Sequence, residues 1–228
     1  MNYITAIRNL DLDTKQQIKS TRESLQDLYL QFHKLLNPKY ATFQHKIVCG
    51  YFVSEYVIKL GEISSEDDID TIFLYARRLL EVLITLKYIS QTNTFPKIME
   101  YCQRDRYDYL EGCNARNIAD EKLLPELKGL ADYTLENKQE QSEILRQYNG
   151  KKPEKMPDIK KMAISIGYEE EYNYFYKLTS KMLHFCPFTL NGDTDFSANI
   201  HKVVFVKRIA VYLKKVQQEL EQIYQSLP

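Results

Sequence analysis

Seven glycines and seven prolines in 228 residues constrain this chain more than any motif in it. The usual combined share of these two residues is about 12%, and the chain holds roughly half of that. Sandwiches and barrels consume turn formers at every strand end. A chain this poor in them is expected to be all-α, and the spacing of its apolar residues agrees. Ile18, Leu25, Leu28, Phe32 and Leu35 recur at helical intervals behind Asp13, which reads as an N-cap, and Asn37-Pro38 ends that run. A second amphipathic helix is expected over 41–61. Ser64 to Asp68 reads as a capping start, with acids on the positive end of the dipole of an apolar helix over about 67–90. Thr94 and Pro96 suit the start of another, to about 116. Further helices are expected over 119–148, 159–166, from Glu169 to about Leu183, and from Ser197 to about Leu227. No repeat or long linker divides the chain. It reads as a single helical domain over 1–228, a bundle of about seven helices in which an N-terminal pair (1–63) packs on a core bundle (64–228).

Charge and aromatic content narrow the class. Thirty-one basic and 31 acidic residues give a net charge of zero, so the chain is neither a basic nucleic-acid coat nor an acidic tail. Eighteen tyrosines and ten phenylalanines exclude bulk disorder. The most apolar stretch, Ile72 to Ile89, is interrupted by Arg77, Arg78, Glu81 and Lys87, which excludes a membrane span. The first twenty residues lack a basic start followed by an apolar core, and Cys49, Cys102, Cys113 and Cys186 form no CxxC pair. A cytoplasmic location with reduced thiols is the expectation.

Several chemistries have no motif here. GxGxxG, GxxxxGK[ST], GxSxG and HExxH are absent, and His33, His45, His184 and His201 show no metal-ligand spacing, so no cofactor or metal is expected. Three segments remain. In the apolar helix, Arg77 and Glu81 stand at i,i+4 on one face and can pair, either as a surface ion pair or as the orienting element of a polar pocket. In 101–109 tyrosines alternate with charges, and Arg106 and Tyr109 share a face at i,i+3. Such a pattern stacks bases and holds phosphates, or anchors a protein partner, or is an aromatic helix with snorkelling arginines. Finally Tyr176, Ser180 and His184 form a polar stripe at i,i+4 steps, with His184 at a helix C-terminus where the dipole favours its cation.

Together these segments, Arg-x-x-x-Glu, a Tyr/Arg-rich helix and Tyr-x-x-x-Ser-x-x-x-His, resemble an uncharacterised bacterial all-helical family. That family is loosely similar to the HEPN (higher eukaryotes and prokaryotes nucleotide-binding) class. The resemblance covers about 65–190 and implies a HEPN-like fold. HEPN-like proteins occur in defence, abortive-infection and toxin–antitoxin systems, and many are dimers and metal-independent ribonucleases. On that resemblance His184 would be the general acid/base, helped by Ser180 and Tyr176, with Arg77, held by Glu81, on phosphate. Arg78, Arg106, Tyr107, Tyr109 and Lys181 would contact phosphate or a partner. The sequence departs from the class in one respect: the basic residues just upstream of His184 are Lys177 and Lys181, where those ribonucleases carry an arginine. Three functions therefore stand open. The leading one is a protein-interaction or regulatory subunit of a bacterial defence or stress system, as a homodimer or with a partner protein. The second is a metal-independent ribonuclease acting on RNA. The third is a pocket for a small anion or nucleotide lined by Arg77 and Tyr176.

Overall fold

The protein is all-helical. The computed structural model describes residues 3–64, 66–124, 130–176 and 195–228. Its helices are α1 (Tyr3–Lys34), α2 (Gln44–Leu60), α3 (Ile69–Thr92), α4 (Ile98–Leu123), α5 (Leu130–Gln147), α6 (Ile159–Ser165), a short α7 (Glu169–Glu171) that opens into a π turn (Tyr172–Tyr176), and α8 (Asp195–Gln225). Contacts divide the chain into two compact units: Met1–Phe95 with Asp158–Pro228, and Pro96–Pro157. Among the described residues no helix is long and apolar enough to cross a membrane.

In the larger unit α3 is central. Ile72, Phe73, Ala76, Leu79, Leu80, Leu83, Ile84, Leu86 and Ile89 are all buried, a face too wide for one neighbour to cover. Helix α8 covers most of it through Phe205, Val206, Ile209, Leu213 and Val216, and α6 covers another part with Met162 and Ala163. Each fully buried Leu or Ile contributes about 1.5–3 kcal/mol, so this contact surface dominates the unit's stability. Helix α1 lies against α8 and α2, with Leu25 and Phe32 fully buried. Close approach of α1 and α2 requires Gly50: a Cβ there would stand 2.3 Å from Phe32 Cζ.

Caps fix the ends of the central helices. Asp68 accepts from Thr71 N–H at 2.8 Å, and Asn93 closes α3 in the left-handed conformation at φ 51°. Asp158 caps α6 by accepting from Lys161 N–H at 2.9 Å. Helix α1 begins ten residues before Asp13, so Asp13 is not its cap. Thr14 lies inside the helix, fully buried, and its hydroxyl donates to the Leu10 carbonyl at 2.6 Å. Thr94 caps nothing either; its hydroxyl pairs with that of Thr92, and a 3₁₀ turn (Phe95–Lys97) leads into α4.

The smaller unit is an antiparallel pair, α4 and α5, around Tyr107, Leu110 and Ile144. Polar clamps supplement so small a core. Arg106 holds Glu140 with two hydrogen bonds of 2.7 and 2.8 Å, and Gln141 donates to the Tyr107 carbonyl. The basic loop after α5 is fastened to α4 by Lys152–Glu111 at 3.2 Å, Lys155–Asp108 at 3.7 Å and the Glu154 N–H on Glu100 at 2.7 Å.

Candidate functional site

The larger unit brings together three of the residues singled out from the sequence. Arg77 and Glu81 project one turn apart from α3, and Arg77 Nε donates to Glu81 Oε1 at 3.1 Å. The same guanidinium donates through its NH2 group to the Tyr176 hydroxyl, a residue 99 positions away. Its carbon also lies 4.0 Å from the centre of the Tyr176 ring, so charge and ring face are in contact. Tyr172 stacks on Tyr176 at 4.5 Å and 19°. Burial, and then the neighbouring Tyr176 phenol, push the Tyr172 hydroxyl above the usual tyrosine range. Arg77 is 21% and Glu81 36% exposed, so the cluster borders solvent and the ion pair alone is worth about 0.3–0.5 kcal/mol.

A second set of contacts seats the segment that carries Tyr176. Glu171 accepts from Arg208 at 2.8 Å and from the Tyr212 hydroxyl, both on α8. Tyr212 is only 2% exposed, and its burial, reinforced by the Glu171 carboxylate, raises its pKa far above the usual value. The Arg208 guanidinium faces the rings of Tyr174 and Phe175 at 5.1 and 5.3 Å. The π turn is thus fastened on one side to α8 and on the other to α3. The sequence pattern placed Glu169 at the start of a helix and singled out neither Glu171 nor Arg208. The signal that could have found it is an Arg-x-x-x-Tyr pair set among Phe205, Val206, Ile209 and Leu213, where a lone charge demands a partner.

The other candidates lie elsewhere. Arg78 is exposed and donates to the Tyr56 hydroxyl of α2 at 3.1 Å. In the smaller unit Arg106 lies over the Tyr109 ring at 5.6 Å while clasped by Glu140, and Tyr109 is 62% exposed. Tyr107 is a core residue, buried against Leu110 and Ile144, with Lys152 over its ring. It therefore lies on the inner face of α4, towards α5. Ser180, Lys181 and His184 lie outside the described residues. Among the described residues no group of three His, Cys, Asp or Glu could hold a metal ion.

A family profile described as "Family of unknown function (DUF5677)" matches residues 60–201, more than half of the chain. No curated protein and no solved structure matches.

Proposed function

The chain belongs to the DUF5677 family, a family of unknown function, and we propose that it is a HEPN-like interaction or regulatory subunit of a bacterial defence or stress system. The observation that carries this reading is how the candidate phosphate-binding arginines are engaged. Arg77 is held by Glu81 and Tyr176, and Arg106 is held by both oxygens of Glu140. A phosphate at either arginine would compete with a carboxylate of this same chain for the guanidinium, and each charged hydrogen bond it displaced would cost about 1.5–3 kcal/mol before any gain. Arginines engaged this way hold helices in register. The zero net charge supports the same reading, since no long-range field draws RNA to the protein.

A second reading, the metal-independent ribonuclease, draws on the Arg77–Tyr176 contact. It joins the Arg-x-x-x-Glu motif to the start of the Tyr-x-x-x-Ser-x-x-x-His motif, so a guanidinium stands at the head of the segment that leads to His184.

The test is incubation of the parent protein and His184→Ala with a mixed RNA substrate in EDTA, beside a mass measurement of the assembly. The subunit reading expects no cleavage by either protein and a defined oligomer or partner complex. Cleavage by the parent that His184→Ala abolishes would replace it with the ribonuclease.

A further inference from the structure

Between α2 and α3, bordering the Arg77–Glu81 pair, lies a cavity of about 200 Å³. Its floor is formed by buried side chains, Cys49, Leu86 and Ile89. Val53 and Val82 form half-exposed walls. At the mouth stand Tyr56, 39% exposed, and the exposed Arg78. The site is therefore a largely aliphatic slot that also carries Thr85 and the Glu81 carboxylate on its lining, with one cation at its opening.

The engagement of that cation sets it apart. Arg22, Arg77, Arg104, Arg106 and Arg208 each hold a carboxylate of this chain. Arg78 instead donates to a neutral phenol, Tyr56, through NH1, and among the described residues no carboxylate lies within ion-pair distance of it. A guanidinium carries five donors in a planar fork that matches a carboxylate in two-point geometry. Glu81 also borders the cavity, but its oxygen is drawn to Arg77 at 3.1 Å, so the adjacent negative charge is already countered.

Size then selects the ligand. Drug-sized molecules occupy pockets of about 300–1,000 Å³, above what is available here. We propose that this slot binds a short aliphatic carboxylate, with its chain on Val53, Val82, Leu86 and Ile89 and its carboxylate on Arg78 and the Tyr56 hydroxyl. The ligand contacts proposed here do not involve Arg77, Tyr176 or His184, and the cluster enters only through Glu81, whose charge Arg77 counters, so the proposal is tested apart from the function proposed above.

The experiment is a methyl NMR titration of the full chain, labelled at Ile, Leu and Val, with hexanoate, 1-hexanol and hexylamine. Hexanoate should shift the Val53, Val82 and Leu86 methyls saturably, and hexanol and hexylamine should bind at least about tenfold more weakly, the size of one charge-assisted hydrogen bond. Arg78→Gln, at an exposed position that leaves the core intact, should bring hexanoate down to the affinity of hexanol. Val82→Phe should fill the slot and abolish the shifts. Hexanol binding as tightly as hexanoate would overturn the proposal, as would shifts that survive Val82→Phe. Failure of hexanoate at millimolar concentration, with shifts induced instead by an acidic peptide, would also overturn it and assign the groove to a protein partner.

Discussion

Replacing Gly50 by alanine is predicted to destabilise the larger unit, against the ordinary preference of helices for alanine. The position lies inside α2, where alanine would normally stabilise by about 1 kcal/mol. Here the new methyl would sit 2.3, 2.4 and 2.7 Å from Cζ, Cε1 and Cε2 of Phe32. Carbon atoms meet comfortably at about 3.5–4.0 Å, so three contacts are more than half an ångström too short. Phe32 has little room to yield: it is fully buried and stands edge-on to Tyr224 at 5.5 Å. Overpacking of this kind costs about 1–3 kcal/mol. Set against the propensity gain, the net loss is up to about 2 kcal/mol, a fall in Tm of up to about 8 °C for a chain of this size. Urea and thermal unfolding followed by circular dichroism measure it. Phe32→Leu alone should also destabilise, by leaving a void, but in the Gly50→Ala background it should restore part of the loss, with a coupling of about 0.5–3 kcal/mol. A higher Tm for Gly50→Ala, or strict additivity in the double variant, would refute the close packing of α1 on α2.

Two further outcomes test how the site is held. Glu171→Ala should cost about 1–3 kcal/mol, since it leaves the buried Tyr212 hydroxyl and the half-buried Arg208 without their shared acceptor; Tyr212→Phe should cost about 1 kcal/mol in the same unfolding assay, and equal costs would show that Glu171 holds nothing else. Asp68 accepts hydrogen bonds from the hydroxyl and N–H of Thr71, which hold its carboxyl below the ordinary aspartate range. Its folded pKa being the lower, it stabilises the fold above the unfolded value of about 3.9 and loses that contribution as pH falls through the folded value. Asp68→Asn, which caps without titrating, should therefore show a shallower acid limb of Tm against pH; an unchanged limb would remove Asp68 from the acid response.

How much of this was legible in the sequence depended on the range of the interaction. The Arg77–Glu81 pair follows from i,i+4 spacing in an apolar helix, and the Arg106–Tyr109 contact from i,i+3, because helix geometry alone fixes both. The stretch from Ile72 to Ile89 stood out in the sequence as the most apolar, and it forms the central helix α3 of the larger unit. Helix α1 was misjudged at its start because Asp13 has the chemistry of an N-cap; the helix instead runs through it, and the buried Thr14 and Thr21 satisfy their hydroxyls on carbonyls four residues back. Tyr107 was ambiguous because a tyrosine suits core and surface alike, and only the arrival of Ile144 from α5 decides it. Tyr176 on Arg77 and Glu171 on Tyr212 join residues far apart in the chain, and no local pattern announces such a meeting. The arginines divide the same way: Arg77–Glu81 is local and legible, whereas Arg106–Glu140 and Arg208–Glu171 are tertiary.

The larger unit is assembled from both ends of the chain, with 96–157 between its halves. As the polypeptide emerges during synthesis, α3 appears with nine side chains that will end in the interior, yet α8, which covers most of them, follows more than a hundred residues later. In the interval the α4–α5 pair can close from nearby contacts, while the α3 surface stays sticky and open. The α3 surface is thus open to misassociation until α8 arrives. For the same reason the segment that matches the family profile, 60–201, omits α1, α2 and nearly all of the buried face of α8, and expressed by itself it would present an uncovered core.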